Sequence, residues 1–371
     1  MRVAIINCFE TYEIREKMIY EFFKNRGDIV TLIKSDFLHM KKEYIELKNS
    51  SNIYIHVNSY KKNLSLKRLK SHNFFSKSVL SILKNYTFDL VYVLIPPNSL
   101  VKDIAKYKQL NPHCILFFDV IDLWPETMPL GKIKSIFPFT LWKGIRNNYI
   151  NFADQIITEC NLFNFELKKY VDSKKINTIY FCRHLNQLNK EKELNDNEIN
   201  LCYLGSINNI IDIHKIGNLI NKIAKVRPVT LKIIGDGENK KELIETVKAK
   251  GATVVDYGKV YDQREKQKIF NTCDYGLNIY KDDTFIGVTM KSIDYLDGGL
   301  PLINTIKGDT EEFINMFKCG FNYEDFNENQ LRMDRILEYT INTKKVMEKY
   351  FDITCGYFNL EKILSKFYDL K

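Results

Sequence analysis

Short apolar runs alternate with helix-length amphipathic stretches along most of the chain. Val3–Cys8, Ile29–Lys34, Ile53–Val57, Leu90–Leu94, Ile115–Asp119, Gln155–Thr158 and Thr178–Phe181 have the length and apolar content of buried strands. Between them, Ile14–Asn25 and Leu100–Gln109 carry apolar residues at helical period. This alternation predicts an α/β fold with a mostly parallel, doubly wound sheet. The polar stretch Asn186–Asn200 (NQLNKEKELNDNEIN) breaks the pattern and predicts a linker. A second alternation follows, with strands expected at Asn200–Leu204, Val229–Ile234, Thr253–Tyr257, Tyr275–Ile279 and Leu302–Asn304. The pattern therefore predicts two Rossmann-like domains, 1–190 and 191–342. A final helical segment, 343–371, has apolar positions at Val346, Tyr350, Leu360, Ile363 and Phe367.

Composition agrees with this division. A chain of 371 residues with 45% hydrophobic and 13% aromatic content can bury two cores. The net charge of +9 favours an anionic partner, although a plain solvated surface would carry the same charge. No uninterrupted apolar run reaches the length of about 18 residues that a spanning helix needs. MRVAIINCFE reads as a first buried strand rather than a secretory signal. The cysteines are scattered, with no C-x-x-C spacing, and are expected as reduced core thiols rather than disulfides or metal ligands.

Candidate chemistry gathers in the second half. LCYLGSI ends a strand at Gly205-Ser206, a turn whose backbone can approach a phosphate, and the helix start beyond it could offer free N–H groups. LKIIGDG ends another strand at Gly235-Asp236-Gly237, and Tyr257 lies at the end of a third. Taken singly, each is also an ordinary loop. The densest signal is GVTMKSIDYLDGGLPLINTIKGDTEE, which sets Lys291 and Asp294 three residues apart on one helical face. The lysine suits a diphosphate and the carboxylate suits ribose hydroxyls; an exposed ion pair is the plainer reading of the same spacing.

On LGSI, KIIGDGENKKEL and GVTMKSIDYLDGGLPLI, residues 200–315 resemble glycosyltransferase family 4. The resemblance implies the GT-B fold, two Rossmann-like doubly wound domains facing across a cleft. It also implies that the final helical segment, which by its pattern alone could simply close the second domain, crosses back to the first. The first domain is then expected to bind acceptor and the second a nucleotide-sugar, with a UDP-sugar as donor. Transfer is expected with retention of anomeric configuration and without an essential metal or other cofactor. Lys291 would stabilise the leaving diphosphate, Asp294 would hold the ribose, and Gly205, Ser206, Gly235, Asp236, Gly237 and Tyr257 would line the donor site. Two positions depart from the family. Ile286 stands where the first of two glutamates usually lies, with Asp282 or Asp283 as substitutes. Asn208 and Asn209 replace the usual cations after the first glycine turn, leaving Lys215 as the nearby cation.

The first half adds FFDVIDLWPE, similar to the Asp-Leu-Trp-Pro-Glu segment of bacterial polysaccharide glycosyltransferases in that family. Asp122 is expected at the cleft as a catalytic residue that binds a donor-sugar or acceptor hydroxyl, with Trp124 and Glu126 beside it. The plainer reading places these acids at a helix start. Arg15 and the Ser35–His39 segment fit a capsule or O-antigen subset, with His39 as an acceptor-site candidate or a structural loop histidine.

Basic and aromatic residues interleave in Tyr60–Lys77 and Lys132–Arg146, a composition suited to an anionic membrane surface or to a solvated face over an apolar stripe. The resemblance then implies a polyprenyl-diphosphate-linked glycan acceptor, and a cytoplasmic protein peripheral on the inner face of the plasma membrane. Two other readings remain open: a two-domain nucleotide-sugar epimerase, which would need an acid–base pair around the sugar, and a basic nucleic-acid-binding protein. No nucleic-acid motif accompanies the charge, so no nucleic-acid partner is expected.

Overall fold

The computed structural model describes the chain apart from residues 47–51, 189, 190, 194 and 371, and apart from the side chains of residues 132, 369 and 370. Two compact units emerge. Met1–Arg183 joins Ile353–Lys371, and His184–Asp352 forms the other.

The first unit begins with β1 (Arg2–Asn7) and α1 (Glu13–Asn25), followed by β2 (Ile29–Ser35), a short antiparallel pair β3 (Phe37–Leu38) and β4 (Glu43–Tyr44), and β5 (Ile53–Ile55). It continues through α2 (Leu66–Asn85), β6 (Leu90–Ile95), α3 (Asn98–Leu110), β7 (Ile115–Val120), α4 (Phe139–Asn147), β8 (Gln155–Thr158), α5 (Asn161–Leu167) and β9 (Ile176–Thr178). Seven strands form one sheet in the order β5-β2-β1-β6-β7-β8-β9, every pairing parallel. β6 is buried at all six positions, as a central parallel strand covered on both faces must be.

The second unit holds β10 (Ile199–Leu204), α6 (Ile213–Ile223), β11 (Val229–Ile234), α7 (Lys240–Ala249), β12 (Ala252–Gly258), α8 (Gln263–Asn271) and β13 (Tyr275–Asn278). Then come α9 (Met290–Asp297), β14 (Leu302–Asn304), α10 (Asp309–Phe317), β15 (Gly320–Asn322) and α11 (Met333–Val346). Its six strands are parallel in the order β12-β11-β10-β13-β14-β15. Leu201, Tyr203, Leu231, Ile233, Tyr275 and Leu277 from its central strands are buried in one core with Ile216, Leu219 and Ile220 of α6.

The last helix, α12 (Ile353–Leu364), belongs to the first unit and lies on α1. Gly356 permits the approach, because a Cβ there would sit 2.6 Å from Met18 Sδ and 3.1 Å from Cys182 Cβ. Arg26 of the first unit bonds Glu361 at 2.5 Å. The chain therefore returns at Ile353, ten residues later than the expected start at 343, because α11 continues to Val346 and buries Ile336 and Tyr339 in the second core. The first unit ends at Arg183 rather than 190, and the expected linker at Asn186–Asn200 includes the undescribed positions 189, 190 and 194. The seventh strand lies at Ile176–Thr178, not Thr178–Phe181, since Ile179 N–H closes on Thr158 O and the chain then leaves the sheet. Among the described residues no helix is long and apolar enough to cross a membrane.

Candidate functional site

In the second unit the glycine turns stack on one another. Gly205 follows β10 at φ +102° and Gly235 follows β11 at φ +154°, backbone regions that L side chains rarely adopt. A Cβ on Gly235 would overlap the Gly205 carbonyl oxygen, and one on Gly237 would overlap that of Ile207. The two turns are bonded through Gly205 N–H to Ile234 O at 2.8 Å and Ile207 N–H to Asp236 O at 3.0 Å. Gly235 N–H reaches Gly258 O at 2.6 Å, bringing the end of β12, next to Tyr257, into the same layer.

α9 is fixed over these turns by Tyr295. Its hydroxyl accepts from Leu204 N–H at 2.6 Å and donates to Cys202 O at 3.1 Å. Its ring lies on Gly276, where a Cβ would meet it at 2.6 Å. Lys291 stands four residues earlier, hence one turn away on the same helical face. Its Cε is 3.7 Å from where a Gly205 Cβ would lie. The Lys291 ammonium is 4.1 Å from the Tyr203 ring centroid and 4.9 Å from that of Tyr280. Its Nζ is buried with no hydrogen-bond partner. Burial pushes the lysine pKa down to about 7, with a small opposing effect from the Cys202 thiol.

Thr289 caps α9, accepting from Ser292 N–H at 2.9 Å, and its hydroxyl also reaches Asn278 Oδ1 at 3.3 Å. Asn278 heads a ladder across three strand ends, donating to Asn304 at 2.8 Å, which donates to Asn322 at 3.1 Å. These buried amides hold the carboxyl edge of β13, β14 and β15 in register.

The other expected donor residues divide. The Asp294 carboxylate meets Lys266 of α8 at 3.2 Å. Asp236 is exposed, and the Gly237 N–H, then Lys259 at 3.5 Å, hold its carboxyl below the usual range. Ser206 has an exposed side chain, while its carbonyl accepts from Tyr203 OH at 2.8 Å. Tyr257 is 40% exposed on β12, an edge strand. The expected helix start just after Gly205-Ser206 is corrected: α6 begins at Ile213, and Asp212 already caps it by accepting Lys215 N–H at 2.8 Å. An acid at that terminus leaves it poorly suited to a phosphate. Ile286 packs against the second core, and Asp282 is paired with Lys215 at 2.6 Å on the surface.

In the first unit β7 and the bend after it carry two aspartates with different environments. Asp119 is fully buried, and its oxygens accept from Arg15 at 2.7 and 3.2 Å and from Tyr92 OH at 2.7 Å. Arg15, expected as a marker of acceptor class, is thus a core counter-ion. Asp122 is half-buried and accepts from Tyr12 OH at 2.6 Å. Burial lifts its pKa to about 6, against the opposing Tyr12 hydrogen bond and the Arg68 charge. A carboxyl poised near neutrality can accept or give a proton.

Trp124 and His39 join Asp122 in an aromatic cluster. The Trp124 ring is 5.6 Å from Phe9 and 6.2 Å from His72, and Phe9 is 5.5 Å from His39. His39 Nδ1 lies 2.8 Å from Tyr60 OH and 3.3 Å from Lys42 Nζ. Burial, then Arg68 and Lys42, hold its pKa down to about 4, so the ring is neutral. Glu126 is not free to meet an acceptor: Arg146 grips it at 3.1 and 2.7 Å and Lys143 at 2.9 Å. Burial alone would raise its pKa, but those cations hold it below the usual carboxylate range.

Both expected basic stretches also change. Arg68 and Arg146 are buried rather than facing solvent, and Lys143 is committed to Glu126 and Glu166. The Lys132 side chain lies outside the described residues. The exposed remainder includes Lys61, Lys62, Lys67 and Lys70, with Leu66, Ile133, Ile136, Phe137 and Leu141.

Sequence reading missed Tyr203, Tyr280, Tyr295, Thr289 and Arg68. Two spacings could have found some of them. Tyr295 stands at i+4 from Lys291, and Arg68 at i−4, i−7 and i−11 from His72, Phe75 and Val79, a buried helical stripe.

No protein-family model matches the chain, and no curated protein does. Solved structures do. HepE of Anabaena in complex with UDP aligns over 99% of this chain and 100% of its own, with TM-score 0.70 and 13% identity. The apo form of the lipopolysaccharide outer core galactosyltransferase WaaB aligns over 99% of each chain, with TM-score 0.68 and 14% identity. The catalytic domain of starch synthase IV from Arabidopsis thaliana, bound to ADP and acarbose, aligns over 98% of each, with TM-score 0.66 and 10% identity. At such identities the likeness is one of architecture, and on it, with its two parallel-sheet Rossmann-like units, the chain has the GT-B fold.

Proposed function

We propose that this chain is a glycosyltransferase that moves a hexose-type sugar from a UDP-sugar to a lipid-linked glycan, with retention, in the building of a surface polysaccharide. The observation that carries the reading is the buried Lys291 ammonium, without a hydrogen-bond partner beside the stacked Gly205 and Gly235 turns. A desolvated cation with no counter-ion is costly, and a diphosphate supplies one. In this reading the charge that builds on the leaving diphosphate is stabilised by Lys291, an interaction that strengthens as the sugar departs. Asp294 holds the ribose and Asp122 a sugar hydroxyl. The fold is supported by structures solved with UDP and with UDP-glucose, whose ligands belong to those proteins and here motivate the choice of donor.

The exposed apolar residues Ile133, Ile136, Phe137 and Leu141, with the exposed lysines 61, 62, 67 and 70, support docking on the anionic inner face of a plasma membrane. In this reading the acceptor is a polyprenyl-diphosphate-linked glycan at that surface.

The test is transfer of labelled sugar from a panel of nucleotide-sugars into the lipid fraction of membranes, with wild type and Lys291→Ala. Transfer by the wild type and loss in the variant are expected. Isomerised sugar released without acceptor would instead favour an epimerase.

A further inference from the structure

The first unit contains a buried cation that the proposed reaction leaves unused. Arg68 is 6% exposed, and its guanidinium rests 4.5 Å from the Trp124 ring centroid, 5.6 Å from Phe9 and 5.8 Å from Tyr60. Its hydrogen bonds go to neutral groups: Nη1 donates to Asn63 O at 2.8 Å and Nε to His72 Nε2 at 3.3 Å. Among the described residues no carboxylate forms an ion pair with it. The nearby acids are engaged elsewhere. Asp122 accepts from Tyr12, and Glu10 accepts the N–H groups of His39 and Met40 at 2.8 and 2.6 Å.

A second feature of the same cluster points to a missing acceptor of hydrogen bonds. His72 is 3% exposed, and its Nδ1 is buried without a partner. Because Nε2 accepts from Arg68, the neutral ring carries its hydrogen on Nδ1, which is therefore an orphan donor. A second cation, the half-exposed Lys42, stands nearby: its Nζ lies 4.9 Å from the Tyr60 ring, bonding Asn63 Oδ1 at 2.7 Å and the neutral His39 at 3.3 Å. Buried guanidinium and imidazole donors left over by the fold are costly unless something negative meets them. The rings of Phe9, Tyr60 and Trp124 that wall the cluster are themselves buried.

We infer that Arg68, with Lys42 and His72, forms a subsite for an oxyanion on the acceptor glycan, a sugar carboxylate or a phosphate ester, walled by Trp124, Phe9 and Tyr60. That the ligand is the acceptor rests on the glycosyltransferase reading; that the subsite takes an oxyanion rests on the cluster alone. Arg68 is the element of specificity, since a planar guanidinium already stacked on Trp124 loses little freedom on meeting a carboxylate or phosphate edge.

The experiment measures binding of glucuronate, glucose 1-phosphate and neutral glucuronamide to the full chain by calorimetry. The phosphate arm is repeated in Lys291→Ala, so that binding beside Gly205 is not counted. Glucuronate or glucose 1-phosphate is expected to bind at least tenfold more tightly than glucuronamide. Binding is expected to weaken roughly tenfold to a hundredfold in Arg68→Gln, the loss of one charge-assisted contact, and to recover partly in Arg68→Lys. Preference for glucuronate identifies an acidic sugar; preference for glucose 1-phosphate identifies a phosphorylated one. Equal binding of the charged and neutral sugars by the wild type, which needs no variant to fold, would overturn the inference. UDP is titrated alongside. UDP binding without oxyanion binding removes this subsite and leaves the enzyme reading standing, whereas the reverse result does the opposite.

Discussion

The Lys291 ammonium lies 4.1 Å from the centroid of the Tyr203 ring, held there by a helix that Tyr295 bonds to the end of the neighbouring strand. The ring face offsets part of the cost of burying the charge, by about 2 kcal/mol for a desolvated pair. It does so without supplying an anion, so the cation stays available to a ligand. Gly205 keeps the space beside the Lys291 Cε free of a side chain.

The lowered lysine pKa gives binding a pH dependence. Below about 7 Lys291 is charged in the free protein, and above it the charge is lost. A bound diphosphate favours the charged form. Affinity for UDP-glucose is therefore expected to be flat below that point and to fall as pH rises through it. Calorimetric titrations across that range check this. In stability the sign is opposite: the unfolded chain keeps its lysine protonated to higher pH, so burial of Lys291 costs most below the folded pKa. Lys291→Met should raise the melting temperature most in mildly acidic buffer, with the gain shrinking as pH rises.

Tyr295→Phe removes the bonds to Leu204 N–H and Cys202 O while keeping the ring on Gly276. Leaving the buried Leu204 N–H unpaired is expected to cost about 1–3 kcal/mol in urea unfolding. The variant should also bind UDP more weakly, because the helix that carries Lys291 loses its anchor.

Two glycine replacements should act in opposite directions. Gly235→Ala puts a Cβ into the Gly205 carbonyl at a left-handed backbone position and is expected to destabilise strongly and abolish nucleotide binding. Gly144→Ala, inside α4 with open space around its Cβ, is expected to stabilise by about 0.4–1 kcal/mol. Chemical denaturation of the pair separates backbone strain from a general intolerance of alanine.

Asp122→Asn separates catalysis from folding. Burial raises the Asp122 pKa to about 6. A raised carboxyl contributes stability that is complete below its unfolded pKa and lost as pH rises through the folded one. The asparagine variant should therefore melt higher than wild type at neutral pH and lose that advantage in acid. Its turnover is expected to fall about 10²–10⁴-fold, with UDP binding unchanged.

Much of the architecture was legible because parallel strands announce themselves as short apolar runs. Gln155–Thr158, Val229–Ile234 and Leu302–Asn304 were expected at the bounds observed. The β3–β4 pair escaped because two residues carry no period, and β15 because Gly320–Asn322 holds a single large apolar residue. At the candidate site the glycines and Lys291 were visible as local signals, but their meaning depends on Tyr203, Tyr280 and Tyr295, which as isolated aromatics read only as core. Charge misled where burial decides. Arg68 and Arg146 read as part of membrane-facing basic stretches and Arg15 as a marker of acceptor class, yet all three are buried, Arg15 against Asp119, Arg146 against Glu126 and Arg68 against rings. Asp294 follows Lys291 at helical spacing, yet Lys266, distant in sequence, draws its carboxylate to another neighbour.

The most direct test of the account is the shift in melting temperature caused by UDP in wild type and in Lys291→Ala. A clear rise in the wild type that disappears in a variant still folded by circular dichroism is the predicted result. An equal rise in both proteins would contradict the central role given to Lys291. No rise in either would contradict the nucleotide-sugar reading itself.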